Sequence, residues 1–214
     1  MQETGAKQKM RFDLRMIASL ISPGSTVLDL GCGDGDLLYH LEKEKGISGT
    51  GIEKSESEVA KCIERGLSAL QGDINAELLD YPDEAFDYVI LSRTLQQVYE
   101  PAELIHSLLR VGKMGIVSFP NFSHWRVRLQ LLGSGYAPVT RELPYEWYDT
   151  PNIRVITLKD FRKFSKDVGF RILKMMAIVS DFDGTSGRLV TFMPNLRATH
   201  GIFLIGKERG NKTE

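Results

Sequence analysis

The chain has 214 residues, 42% of them hydrophobic and 26% charged, which suits one ordinary globular domain with a sizeable core. Its 27 basic and 28 acidic side chains leave a net charge of −1 and form no extended basic run, which argues against a nucleic-acid partner held by a global positive field. Two cysteines, Cys32 and Cys62, make no disulfide framework, Met1 to Gly5 lack the basic-then-apolar form of a secretion signal, and no apolar run reaches the roughly 20 residues that span a membrane; a cytoplasmic protein with no membrane partner is expected.

In chain order, Phe12, Leu14, Met16, Ile17, Leu20 and Ile21 predict an amphipathic opening helix that stops near Pro23-Gly24. Val27 to Leu30 is short, branched and apolar, as a buried strand is, and it runs into Gly31-Cys32-Gly33-Asp34-Gly35. Leu37, Leu38 and Leu41 then repeat at helical spacing, with Gly46 as the stop. A second strand ends in Glu53; Ser55 and Glu58 have capping-box spacing for a helix to about Arg65, and Leu67 to Gln71 is a short strand ending in Gly72-Asp73-Ile74. Phe86 to Ser92 is another buried strand, Pro101 opens a helix carrying Leu104, Ile105, Leu108 and Leu109, and Gly115 to Phe119 is the next strand. Such regular alternation predicts an α/β fold with a parallel, doubly wound sheet. The pattern breaks after Pro120, where residues 121–152 hold both tryptophans, Trp125 and Trp147. A helix starting at Thr157 and Asp160 and ending at Gly169, strands over Phe170 to Val179 and Gly201 to Lys207, and a polar tail from Glu208 complete a single domain over residues 1–214 with an insertion at about 121–156.

The chemistry concentrates at the first strand–helix turn. Glycines permit the sharp turn and let a ligand touch the backbone, and the turn lies at the carboxyl end of a strand, where open α/β sheets bind ligands. A dinucleotide loop needs Gly-x-Gly-x-x-Gly, whereas position 36 here is Asp. The loop carries Asp34 and Asp36 with no lysine or arginine, which suits a sulfonium with a protonated amine better than a pyrophosphate. Glu53, 20 residues after Gly33, stands where a carboxylate can accept both hydroxyls of a ribose.

On Val27–Gly35, Glu53, Asp73 and the Phe86–Ser92 strand, the chain resembles class I S-adenosylmethionine-dependent methyltransferases over about residues 24–120. Ser118-Phe119-Pro120-Asn121-Phe122-Ser123-His124-Trp125-Arg126-Val127-Arg128-Leu129-Gln130 and Leu143-Pro144-Tyr145-Glu146-Trp147-Tyr148-Asp149-Thr150-Pro151-Asn152 make it more narrowly similar to the MetW family of methionine-biosynthesis proteins. The resemblance implies a Rossmann-like seven-stranded sheet whose last strand is antiparallel. It also implies that S-adenosylmethionine or S-adenosylhomocysteine is bound, with Asp29, Gly31 and Gly33 along the methionine end and Glu53 on the ribose. Asp73 would accept from the adenine amino group, Ile74 would pack on the ring, and Ser92 would lie where the fold closes over the cofactor. A place in methionine biosynthesis beside a homoserine O-acyltransferase is implied too.

The remaining signals leave alternatives. Residues 121–141 hold Arg126, Arg128 and Arg141 and no acid, readable as an amphipathic helix covering the site through Leu129, Leu131 and Leu132, as a small nucleic-acid patch, or as a protein interface. Tyr145, Trp147 and Tyr148 with Glu146 and Asp149 fit either a lid for a small cationic group or packing against the sheet. Asp181 to Thr185 matches the aspartate signature of haloacid-dehalogenase-like phosphatases, but too little chain follows for the later elements, and Asp183-Gly184 reads as a turn. The four histidines have no metal-ligand spacing, and there is no Gly-x-Ser-x-Gly elbow. Ser92-Arg93-Thr94-Leu95 lacks the motif of amino-group DNA methyltransferases, and Arg93 at this mouth restricts an acceptor or pairs with a lid carboxylate. No catalytic residue is assigned. Two functions fit: a cofactor-binding partner or regulator of the acyltransferase, and a methyltransferase acting on a small molecule, for which alignment of acceptor and methyl group supplies much of the rate.

Overall fold

The computed structural model describes residues 10–181 and 183–208; the readings of Met1 to Gly5, of Phe182 and of the tail beyond Glu208 fall outside them. Helix α1 (Phe12–Ala18) precedes β1 (Thr26–Leu30), after which α2 (Asp36–Lys45), β2 (Ser48–Glu53), α3 (Glu56–Glu64), β3 (Ser68–Gln71), α4 (Ile74–Asp80) and β4 (Phe86–Ser92) alternate. A 3₁₀ turn at Leu95–Gln97 leads to α5 (Pro101–Val111), β5 (Gly112–Pro120), α6 (Trp125–Ser134) and α7 (Leu158–Val168). The chain closes with β6 (Phe170–Ser180), β7 (Gly187–Leu189), α8 (Pro194–Arg197) and β8 (His200–Lys207).

The strands form one sheet in the order β3-β2-β1-β4-β5-β8-β6-β7. β1 to β5 run parallel, and β8 lies antiparallel between β5 and β6. The expected doubly wound architecture with an antiparallel last strand is therefore present, with eight strands rather than seven. The additional strand is β7, three residues at the edge held only through β6, too short to carry a period of its own.

Alternation along each strand builds a core on both faces of the sheet. Leu28, Leu30, Val89, Leu91, Val117 and Phe203 face a cluster completed by α4, α5 and α7, while Val27, Tyr88, Ile90, Ile116 and Ile202 face one completed by α1 and α2. Asp29 shares the parity of Val27, so its carboxylate falls on the α1/α2 face. The Thr157–Asp160 capping box of α7 forms, with Gly169 in the left-handed conformation at the other end. The box expected at Ser55 does not: Ser55 Oγ pairs with Ser57 Oγ and Glu58 turns to Lys61 instead.

Helix α6 buries Val127 but leaves Leu129, Leu131 and Leu132 exposed, the last at 84%. Among the described residues these leucines stay largely uncovered, and Tyr145, Trp147 and Tyr148 are exposed too rather than packed on the sheet.

Candidate functional site

The strand–turn–helix at β1 is shaped by three glycines with positive φ, Gly31 (76°), Gly33 (55°) and Gly35 (79°), a conformation costly for other residues. Gly31 is also constrained by packing, since a Cβ there would meet Thr94 Oγ1 at 2.8 Å. The turn is tied down from β2. Gly31 and Cys32 donate to the Ile52 carbonyl, and Gly35 donates to the Cys32 carbonyl. Gly33 N–H donates to Glu53 Oε2 at 3.0 Å. Four backbone donors are thus spent inside the protein, which leaves the turn poorly equipped as a phosphate cradle.

Two adjoining hollows open over the carboxyl ends of β1 to β4 and share Gly31, Ser92 and Arg93. The larger, about 460 Å³, is lined by Gly31, Glu53, Asp73, Ile74, Ser92 and Tyr99, among others. The smaller, about 160 Å³, reaches Asp29, Gly33 and Cys32, with Arg11 and Leu14 at its outer side. All seven residues singled out in the sequence (Asp29, Gly31, Gly33, Glu53, Asp73, Ile74 and Ser92) therefore border one groove. Asp73 also caps α4, accepting from Asn75 N–H at 2.9 Å, and Ser92 Oγ lies 3.2 Å from Ser118 Oγ. Glu53 Oε1 accepts from Lys54 and Ser55 N–H, so this carboxylate anchors the turn as well as facing the groove.

Asp29 is different. It is 2% exposed, and its Oδ1 has no hydrogen-bond partner among the described residues. Burial, and then the charge of Glu53, push its carboxyl up to about 7. A buried carboxylate without a donor is expensive, and a ligand bringing an ammonium would relieve that cost. The acidity of the turn is reduced rather than left free: Arg65, at the C-terminal end of α3, reaches both Asp34 (3.2 Å) and Asp36 (2.6 Å) and offsets one of their two charges. Asp29 and Glu53 bring further carboxylates to the groove from the ends of β1 and β2.

The mouth holds a cluster that spacing along the chain did not signal. Arg93, with φ of 56°, leaves β4 and points back across the sheet. Its Nε lies 3.0 Å from Asp13 Oδ2 of α1, an ion-pair distance although the N–H is not aimed at that oxygen. Arg93 Nη2 lies 2.8 Å from His200 Nε2, and His200 Nδ1 lies 3.0 Å from Thr199 Oγ1. Since Arg93 only donates, His200 accepts at Nε2 and carries its proton on Nδ1. Burial, then the Arg93 charge, hold its pKa down near 3. Arg93 thus pairs with Asp13 of α1, and among the described residues no lid carboxylate lies at ion-pair distance from it. The segment after α6 is fastened to the groove rim instead by Ile153 and Arg154 N–H, which both donate to the Gln96 carbonyl.

The sequence model of the family described as methionine biosynthesis protein MetW matches residues 11–205. The bifunctional methionine biosynthesis protein MetXA/MetW of Rhodopirellula baltica is 36% identical over 162 residues, covering 72% of this chain; the chain spans only 26% of that relative's length. Among solved structures, a methyltransferase of Archaeoglobus fulgidus that depends on S-adenosylmethionine superposes with a TM-score of 0.68 at 16% identity, over 91% of both chains. Another, from Thermotoga maritima, gives 0.67 at 18% identity, over 92% of this chain and 88% of its own. These two carry the fold; at such identities they carry no activity.

Proposed function

The chain belongs to the MetW family, and from that premise we propose that it binds S-adenosylmethionine or S-adenosylhomocysteine in the β1–β4 groove and serves methionine biosynthesis in the cytoplasm, as a partner or regulator of a homoserine O-acyltransferase. The observation that carries the binding reading is Asp29, a buried carboxylate with an unpartnered oxygen at the floor of the groove. In this reading Asp29 receives the ammonium of the ligand's methionine end, with Gly31 and Gly33 leaving room for it. Glu53 takes the ribose hydroxyls through the lone pairs its backbone bonds leave over. Asp73 accepts from the adenine amino group at the open end, and Ile74 packs on the ring. Ser92 borders both hollows. The bound cofactor would supply an activated methyl group.

The partner role is supported by the relative whose name joins MetXA and MetW in one chain. It is supported also by the apolar face that α6 leaves uncovered. A regulator reading requires that the ligand bind two states of the complex unequally.

The second reading, methyl transfer to a small molecule, has the groove in its favour. Against it stands the mouth: Arg93, paired to Asp13 and His200, occupies the side on which an acceptor would approach, and His200 is too weakly basic to take a proton near pH 7. Calorimetric titration with both ligands, copurification with the acyltransferase, and acyltransferase assays with and without this chain test the proposal. It is abandoned if the groove binds neither ligand, and its partner half if the two proteins neither associate nor alter one another's activity.

A further inference from the structure

A second cavity of about 660 Å³ lies apart from the groove, at the carboxyl ends of β5 and β6. Four guanidiniums line it: Arg126 from α6, Arg141 from the loop after α6, Arg188 from β7 and Arg197 from α8. Two carboxylates, Glu142 and Asp181, share the lining, so the cationic groups outnumber the anionic ones. Asp181 already accepts from Ser186 Oγ at 2.7 Å, and Arg141 donates to the Asp181 carbonyl. Arg188 and Arg197 make no side-chain hydrogen bond or ion pair among the described residues, and Arg126 only lies over the Trp125 ring, 5.3 Å from its centre. Three elements, α6, β7 and α8, thus turn unpaired like charges toward one hollow, an arrangement that favours an anion between them.

The rest of the lining gives the anion a shape. Trp125, Val127, Leu143 and Val179 supply an apolar side. His124 accepts from Arg126 N–H through Nδ1 at 3.4 Å, so its neutral tautomer carries a proton on Nε2 as a further donor. Asn121 is committed to the floor, donating to the Asn195 and Ala198 carbonyls. The wall toward the groove is the chain Thr199–His200–Arg93, so the two sites are neighbours with separate linings.

We propose that this cavity is a second ligand site, taking a small molecule with an oxyanion, carboxylate or phosphate, on an apolar body. Guanidiniums pair with both oxyanions in two-point fashion, and the volume suits a metabolite-sized ligand. The proposal does not rest on the groove reading.

The probes are benzoate, its uncharged isostere benzamide, and inorganic phosphate, followed by saturation-transfer NMR on the full chain and on the double variant Arg188→Ala/Arg197→Ala, whose exposed side chains hold no other partner among the described residues. Benzoate should bind saturably, benzamide should not, and the double variant should weaken benzoate about tenfold or more, while keeping the wild-type melting temperature and the wild-type response to S-adenosylmethionine. Competition by phosphate would show that one oxyanion seat accepts both chemistries; binding of benzoate without competition would assign it to carboxylates, and of phosphate without benzoate to phosphates. Binding of neither oxyanion, equal binding of benzamide, or unchanged affinity in a folded double variant would overturn the proposal.

Discussion

Asp13 on α1 and Asp29 on β1 are each 2% exposed, yet burial ends differently for the two. Asp13 is gripped by Arg11 through Nε at 3.1 Å and Nη2 at 2.9 Å, and Arg93 stands beside it. Burial alone would raise its pKa, but these cations, Arg93 foremost, outweigh it and hold the carboxyl near 2. Among the described residues Asp29 has no paired cation and no donor on its buried Oδ1, and burial carries its carboxyl up to about 7. The same side chain at the same depth is thus a fastener in one place and an empty socket in the other. What separates them is whether the protein or a ligand brings the positive charge.

Substitution by asparagine, which keeps the shape and removes the charge, should split the pair in opposite directions. Asp13→Asn should cost about 3 kcal/mol at pH 7, because it leaves two guanidiniums facing an uncharged group; the value sits at the low end for a broken buried pair, since Arg93 is one-third exposed. A depressed carboxyl pKa means that this stability is complete above the ordinary Asp range and is lost as pH falls toward 2, so in urea titrations the difference between Asp13→Asn and wild type should shrink across that window. No loss of stability at pH 7 would remove the fastener role.

Asp29→Asn should do the reverse. The raised native pKa means that the folded state holds a proton more tightly than the unfolded one, so Asp29 costs stability increasingly from about pH 4 to 7 and fully above it. The variant should gain about 2 kcal/mol at pH 8 and nothing near pH 4, discounted from the full shift because the new amide also lacks a partner. Destabilisation at pH 8 would mean that an unseen donor already satisfies this carboxylate.

The two sites also differ in how far they could be read along the chain. The Asp29 region is local: an acid in an apolar strand, three glycines at fixed spacing and Glu53 at the end of the next strand all follow from one strand–turn–helix unit and its neighbour. Asp73 could be placed at the groove edge for the same reason, since a parallel sheet brings successive strand ends to one edge, whereas Ile74 was singled out only through the family resemblance. The Asp13–Arg93–His200 cluster joins a first helix, a mid-chain strand end and a last strand, and it depends on the positive φ of Arg93, which no spacing announces. Arg65 was missed similarly, coming from the end of α3 to pair with Asp34 and Asp36. The leucines of α6 misled because apolar spacing marks a face to be covered without naming what covers it. β7 is a strand only because β6 lies beside it.

The socket is tested most directly by calorimetric titration of S-adenosylmethionine at pH 6 and pH 8, on wild type and on Asp29→Asn. A carboxylate that titrates near 7 in the free protein must be charged to receive the ammonium, so wild-type affinity should rise about tenfold between the two pH values. The variant should bind more weakly than wild type at pH 8 and show little of that rise. Equal affinity in the two proteins at pH 8, or the same pH dependence in both, would contradict the assignment of Asp29 as the seat of the ligand's positive charge.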